Sequence, residues 1–488
     1  MNQKVVVSVV YVAAMFMTIM DSTIVNVALP TISRDFHTST ASVAATVVAY
    51  LVSLAIFISA SGWLGDHLGG KRVLLGATAI FTVASVLCGF AHSLGELVVF
   101  RVLQGVGGGL MSPVGFAMLL RVFPPAERIR AASLVVVPTT LAPALGPVVG
   151  GILVTELSWR WVFFVNVPIG IFAIVFGVMF LVEQRQSAQG AFDIVGFALS
   201  GIGLGLLMYG VSEGPSTGWT SPHIVITAVT GALVVGGFAI YELRQVHPLL
   251  DLRLFENRLF RSGSAVMTLG VSAFTGVLFL LAIFLQDALG FSALRSGLTI
   301  FPEALGVMAG AQMISLVLYP KLGPRRIMIA GLSIIAATVL ILASVGTASN
   351  LWFVRVVVFV CGAGMAGVFV PAQAASLATV SHQRTGGAST LFNAQFQLGG
   401  AIGVAIVTTV LTAARPETAV GGHHVVNLAA YHVSFIVAAA IAAVGVLAAA
   451  TVRDRDAAST VVPRTRKELV VDAIVTEAFG ALPDAVAN

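Results

Sequence analysis

Residues 5–30 read VVVSVVYVAAMFMTIMDSTIVNVALP, an apolar run interrupted by one acid, Asp21. A helix rises 1.5 Å per residue, so about 20 mainly apolar residues cross the roughly 30 Å of hydrocarbon in a bilayer. The run is too long for the apolar core of a cleavable signal peptide and reads as an uncleaved first span. The rest of the chain repeats this pattern. Of its 488 residues, 58% are hydrophobic and 10% charged, and the mean hydropathy is +0.99. Soluble domains average about 45–50% apolar and about 25% charged residues. So few charges cannot cover the roughly three soluble domains that such a length would otherwise suggest. A disordered chain is excluded too, being poor in apolar residues. The sequence specifies a polytopic membrane protein. Cys88 and Cys361 sit in apolar runs and offer neither a metal-ligand cluster nor a disulfide framework. The pI of 9.5 comes from bases scattered singly through short loops, which does not point to nucleic acid.

Fourteen such runs stand between polar punctuation, at 5–29, 40–64, 72–91, 95–121, 131–155, 161–182, 194–212, 222–243, 259–286, 295–319, 326–346, 350–377, 386–412 and 428–452. The expected fold is therefore an all-α integral membrane protein of fourteen spans. Of the 26 Lys and Arg, only Arg34, Arg160, Arg295 and Arg415 fall in the loops of one side, while Arg101 and Arg355 lie inside spans. All the others fall on the opposite side, which by the positive-inside rule places both termini in the cytoplasm. The chain also resembles itself at an offset of 254 residues, which relates Arg101 to Arg355, Gly69 to Gly323, Arg130 to Arg384 and Gly146 to Gly400. Such a repeat implies two pseudo-symmetric six-helix bundles, residues 1–186 and 258–452, flanking an inserted helix pair at 187–257, with a cytoplasmic tail at 453–488. The tail carries a short amphipathic stretch at 469–479. No P-loop pattern appears, so no ATP-driven engine is expected in the chain.

Asp21 is the most informative residue, because a carboxylate inside a span costs a few kcal/mol and marks a functional position. It lies about 24 Å along a helix that starts near residue 5, whereas Arg101 lies about 9 Å along a helix entering from the other side. The two share a depth. Burial favours the neutral carboxyl and a guanidinium favours the charged one, so proton binding at Asp21 would depend on hydration. A static ion pair that only orients spans 1 and 4 is the alternative. GWLGDHLGGKR (62–72) reads as a tight turn between spans 2 and 3, with Gly62 and Gly69 allowing close approach and Asp66 poised to cap a helix or pair with a base at a gate. Pro143, Gly146, Pro147, Gly150 and Gly151 supply bends and small-residue packing to span 5. Glu303 is a candidate second proton site or else a hydrated interfacial acid, and Asp287 a further acid near membrane depth. Asn26, Tyr50, Gln286, Asn393 and Gln397 are candidate cavity residues. His67, His92, His423 and His424 fall in expected loops.

These stretches resemble the fourteen-span drug:proton antiporters of the major facilitator superfamily. MDSTIVNVALP (20–30), GWLGDHLGGKR, RVLQGVGGG (101–109), APALGPVVGG (142–151) and WRWVFFVNVPIG (159–170) are similar to its successive motifs, as are HPLLDLRLF (247–255) and LQDALGFSALRSG (285–297). The resemblance implies proton coupling through Asp21 and Arg101, a cytoplasmic latch at Asp66, Lys71 and Arg72, and an antiporter helix at Gly146, Pro147, Gly150 and Gly151. His67 and Gly70 depart from the usual latch pattern, and Phe396 stands where an arginine is common. The expected activity is proton-coupled export of drugs or other amphiphilic small molecules by alternating access from a bacterial cytoplasmic membrane. The proton motive force supplies the energy, there is no cofactor or metal, and the chain works as a monomer. Export of a lipid or siderophore, import of a nutrient or ion, and a transport-inactive sensor are the competing readings. No nucleophile–base pair or acid pair suggests an enzyme.

Overall fold

The computed structural model describes residues 2–460 apart from 39, 125–126, 184–190, 246–247, 347–349, 379, 381–383, 416 and 421–422. His247 and the amphipathic stretch at 469–479 lie outside the described residues. The described residues are helical almost throughout. Its helices are α1 (Gln3–Asp35), α2 (Thr40–Leu68), α3 (Gly70–Gly89), α4 (Leu94–Val122), α5 (Arg128–Glu156), α6 (Trp161–Phe164), α7 (Asn166–Phe180), α8 (Ile194–Thr217), α9 (Pro222–Arg244), α10 (Arg258–Ile283), α11 (Ala293–Ile300), α12 (Pro302–Met313), α13 (Tyr319–Leu342), α14 (Leu351–Ser376), α15 (Thr385–Ala413) and α16 (Leu428–Ala450). A small hairpin departs from the all-helical expectation: β1 (Glu417–Val420) pairs antiparallel with β2 (His423–Val426) where a plain loop is expected around His423 and His424. Gly421-Gly422 between segments rich in Val and Thr is a two-residue hairpin signal in the sequence.

Twelve helical stretches among the described residues are long and apolar enough to cross a membrane. One of them, Arg295–Leu342, runs 48 residues, about 72 Å at the α-helical rise and twice what a bilayer's hydrocarbon requires. It is broken at Gly323, where φ is 73°. The apolar part of α5, Leu141–Glu156, is shorter than the twelve.

The turn expected over 62–72 is much tighter than the sequence suggests. Helix α2 continues to Leu68, so Gly62, Gly65 and Asp66 are helical, and the chain reverses at Gly69 alone, with φ 101°. Only glycine adopts that left-handed backbone without a steric penalty. The other two glycines serve packing: a Cβ on Gly65 would stand 3.3 Å from Val114 of α4, and one on Gly62 would stand 3.3 Å from the backbone of Gly386 in α15. The reversal recurs 254 residues later. Lys71 N donates to Glu183 Oε1 at 2.9 Å behind Gly69, and Arg325 N donates to Asp454 Oδ1 at 2.9 Å behind Gly323.

Ion pairs gather the Lys/Arg-rich loops on one face, called here the basic face: Lys4 with Glu127, Arg72 with Glu183, Arg121 with Asp66, and Arg384 with Asp251. On the opposite face Asp35 accepts from Trp159 Nε1 at 2.9 Å and Arg160 Nη1 at 3.1 Å. Those two donors, the indole first, hold its carboxyl below the usual carboxylate range. This clasp is therefore made at neutral pH and is lost as pH falls through that lowered range.

Helices α2 and α3 both pack on α4, and α12 and α13 both pack on α14. The α4 contacts are backbone on backbone: a Cβ on Gly105 would sit 2.6 Å from Tyr50 O, and one on Gly107 would sit 2.7 Å from Ala77 O. Overpacking of this kind costs about 1–3 kcal/mol or more. Gly107→Leu is accordingly expected to abolish the monodisperse peak in fluorescence-detected size exclusion. Gly76→Leu, at a position with nothing within 4 Å, is expected to keep it.

Candidate functional site

Asp21 of α1 and Arg101 of α4 form an ion pair between Arg101 Nη1 and Asp21 Oδ2, with both side chains 0% exposed. Asp21 Oδ1 accepts from Gln104 Nε2 at 2.8 Å and from Asn166 Nδ2 at 3.0 Å. Gln104 binds both ends of the pair, because its Oε1 also accepts from Arg101 Nη1 at 2.6 Å while its amide nitrogen reaches Ser85 Oγ at 2.7 Å. Arg101 Nε donates to Thr46 O at 3.3 Å, and its guanidinium carbon lies 4.2 Å from the centre of the Tyr50 ring. Five helices, α1, α2, α3, α4 and α7, thus meet on one buried charge pair.

A pair of charges taken out of water is retained only where further hydrogen bonds satisfy the remaining lone pairs and protons. Here the carboxylate has three donors. Arg101 Nη2 and Asn166 Oδ1 are buried without a partner among the described residues, so the network can still rearrange. Gln104 follows Arg101 by three residues, the spacing that puts two side chains on one helix face. Asn166, inside the WRWVFFVNVPIG stretch, reaches Asp21 across 145 residues of chain, a partnership that no spacing in the sequence predicts.

Helix α5 docks on α1 just beyond Asp21. A Cβ on Gly146 would stand 3.3 Å from Ile24 N, and one on Gly150 would stand 3.2 Å from Ile24 O. Pro143 is half-buried, Gly151 meets nothing within 4 Å, and the side chain of Pro147 is outside the described set. Helix α5 also packs on α11, α12 and α14, with Gly297 against Val148.

At the basic face, α2 and α4 interlock with α15. Asp66 pairs with Arg121 rather than with Lys71 or Arg72, whose partner is Glu183. Lys71 Nζ goes to Val178 O at 3.0 Å. Across the interface Ser61 Oγ meets Thr390 Oγ1 at 3.1 Å, Ser389 Oγ donates to Pro113 O at 2.6 Å, and Ser112 Oγ donates to Asn393 Oδ1 at 2.7 Å. Gly386 brings α15 against the Asp66 carboxylate. Above this seam lies a small pocket lined by Tyr11, Met15, Phe116, Phe369, Gln373, Phe392, Asn393 and Phe396, with no charged side chain. Gln373 is buried, and its Oε1 has no partner among the described residues.

The remaining candidates scatter. Tyr50 is in the charged network and Asn393 in the pocket, whereas Gln397 is half-buried and outside the pocket lining. Asn26 and Gln286 are exposed and donate back to their own helices, to Ser22 O and Ala282 O, both at 3.2 Å. Glu303 is not a hydrated interfacial acid: it is 3% exposed, its backbone abuts Gly362 of α14, and its Oε1 has no partner among the described residues. Asp287 is exposed. His67 is in the last turn of α2 rather than a loop, stacked on Trp63 at 4.4 Å.

Residues 11–404 and, overlapping them, 321–483 match the sequence profile of the Major Facilitator Superfamily. The chain is 35% identical over 408 residues, 83% of its length and 75% of the relative's, to a Multidrug resistance protein B homolog of Mycobacterium tuberculosis. It is 31% identical over 422 residues (85% and 90%) to the Putative multidrug resistance protein MdtD of Pectobacterium atrosepticum. It is 32% identical over 405 residues (82% and 74%) to the Tetracenomycin C resistance and export protein of Streptomyces glaucescens. Its fold is similar to that of the human organic anion transporter MFSD10 (TETRAN), with a TM-score of 0.64 at 14% identity over 92% of this chain and 99% of that one.

Removing one partner of a buried ion pair costs about 3–5 kcal/mol, because the other charge is left unpaired. Arg101→Ala is therefore expected to lower the melting temperature in detergent sharply, and Asp21→Asn in the same chain to restore part of it. Strictly additive losses in that double-mutant cycle would show that the two groups are not coupled.

Proposed function

The chain belongs to the Major Facilitator Superfamily, and from that premise we propose that it is a proton-coupled exporter of drugs or other amphiphilic small molecules. The buried network around Asp21 carries the proposal. A carboxylate in membrane surroundings, tied to a guanidinium and two amides, is a group whose gain of a proton changes several contacts at once. The names of the multidrug-resistance and tetracenomycin-export relatives favour export over uptake.

In the proposed cycle, protonation removes the charge from Asp21, and Arg101 must shift toward its remaining acceptors, Gln104 Oε1 and Thr46 O. The tie between α1 and α4 weakens. Because Ile24 lies one turn from Asp21 and bears on Gly146 and Gly150, the change passes to α5 and so to α11 and α12 of the other part of the chain. A proton drives such a cycle only if it binds the two states with different affinity. The substrate enters at the basic face, occupies the space bounded by Tyr11, Phe116, Phe369 and Phe392, and leaves at the opposite face. Residues 11 and 15 stand about 9–15 Å along α1 from Asp21, so substrate and proton sites are coupled through the helix, not by contact.

The same reading places the protein in a bacterial cytoplasmic membrane as a monomer with both termini inside, powered by the proton motive force without a cofactor. It takes fourteen crossings, with residues 1–186 and 258–452 as related six-helix bundles and 187–257 as an inserted pair. Supporting this are the length and break of Arg295–Leu342, the continuous helix Arg128–Glu156, and the matched backbone bonds behind Gly69 and Gly323. Glu303 is assigned as a second proton site, on the strength of its unpartnered buried oxygen.

Reconstituted in proteoliposomes, Asp21→Asn is expected to remove efflux driven by a proton gradient while the protein still folds. Undiminished uphill transport would refute the proton role. Ser61→Cys with Thr390→Cys, replacing hydroxyls 3.1 Å apart, is expected to stop transport when oxidised and release it on reduction. Turnover unchanged by complete crosslinking would show that this seam does not open.

A further inference from the structure

Where the inserted pair α8–α9 meets the basic face, Asp193 and Glu242 converge. Asp193 caps α8: its Oδ1 accepts from Gly196 N at 2.8 Å and Tyr241 OH at 3.0 Å, while its Oδ2 is buried and has no partner among the described residues. Glu242, in the last turn of α9, is 1% exposed, and both its carboxylate oxygens lack a partner among the described residues. The backbone of Leu249 and Leu250 lies beside it. A Cβ on Gly196 would meet both carboxylates, Glu242 Oε1 at 2.8 Å. The half-buried Asp193 and the buried Glu242 thus place two carboxyls side by side with no base paired to either among the described residues, an arrangement that favours a proton held between them over two adjacent negative charges.

The corner is mechanically connected to the seam. Leu249 and Leu250 lead directly to Asp251, whose Oδ2 stands 3.5 Å from Arg384 Nη1. Arg384 precedes the first turn of α15, the turn that sets Gly386 against Asp66 and is followed by Ser389 and Thr390 in the seam. Arg253 fastens the same loop to the end of α9 through Leu243 O at 3.1 Å and Gln245 O at 2.9 Å. Among the described residues, the other titratable and charged groups on the elements that form the corner are Tyr241 and Arg244 on α9, Asp251 and Arg253 after it, Arg384 ahead of α15, and His67, which reaches the corner through Trp63 and Phe192.

We propose that Asp193 and Glu242 form a proton-binding site, separate from Asp21, that holds the basic-face seam closed through the Asp251–Arg384 tether. With the shared proton in place, α8, α9 and the 249–251 loop pack together and Arg384 is anchored. Loss of the proton leaves two adjacent like charges, that of Glu242 buried, which drive the corner apart and slacken the start of α15. The closed seam therefore binds the extra proton, so it is favoured at low pH and lost as pH rises through the titration of the pair. Rising internal pH would open the seam even where no substrate is present. This does not rest on proton-coupled export, because seam closure is an equilibrium read without transport.

The test is pulsed electron–electron resonance between spin labels on Leu68→Cys and Leu322→Cys, both exposed, in a chain whose own two cysteines are buried. Made in the Asp21→Asn background, it excludes titration of the central pair. The short-distance population is expected to fall as pH rises, and Glu242→Gln, which keeps the shape of the protonated acid, is expected to hold it constant over the same range. Asp193→Asn is expected to do the same and provides an independent variant. A parent profile flat with pH, or the same pH dependence in parent and both variants, would overturn the proposal.

Discussion

A charge closed into a membrane bundle has no water to fall back on, so every contact it makes must come from the protein. That constraint organises the first part of this chain. Asp21 and Arg101 can be buried together only because Gln104, Asn166, Thr46 and Tyr50 are brought to them, which fixes the rotation of α1, α2, α4 and α7. The glycines of α4 follow from the same demand. Donors reach the carboxylate only if α4 lies close to α2 and α3, and with side chains at Gly105 and Gly107 it would stand off. The network is not saturated: Arg101 Nη2 has no partner among the described residues, which leaves it a second arrangement.

On the proposed cycle, the basic-face seam can open because α2 and α4 meet α15 there through small, separable contacts. The basic-face seam consists of hydroxyls, one amide and glycine surfaces. No ion pair among the described residues joins Asp66 across it; Asp66 and Arg121 stay within one side. Charges within each side keep the helices in register while hydroxyl contacts between sides are exchanged for water at little cost. The inserted pair then has a physical role on this reading, because its return loop reaches α15 through Arg384.

Much of this is legible in the sequence, for identifiable reasons. Helical rise alone puts Asp21 and Arg101 at one depth, and the structure joins them. The 254-residue offset predicts kinship between Gly69 and Gly323, and both have left-handed backbone followed by an amide bonded to an acid. Long-range geometry is not legible. Asn166 and Glu183 act on residues more than 100 positions away, and no local pattern announces which residues they reach. Polarity misleads at Asn26 and Gln286, since a helical amide can satisfy itself on the carbonyl four residues back and face outward. The turn at 62–72 is read too broadly because glycine signals both a reversal and a close helix contact, and only Gly69 among them is the reversal.

Proton-coupled export by this chain requires Asp21 to change its protonation in the folded protein. Infrared difference spectroscopy across a pH step, comparing the purified wild type with Asp21→Asn, observes that event directly. A protonated-carboxyl band is expected to grow in the wild type as pH falls and to be missing from the variant. Identical difference spectra for the two proteins would contradict it and leave the pair with Arg101 as a fixed brace.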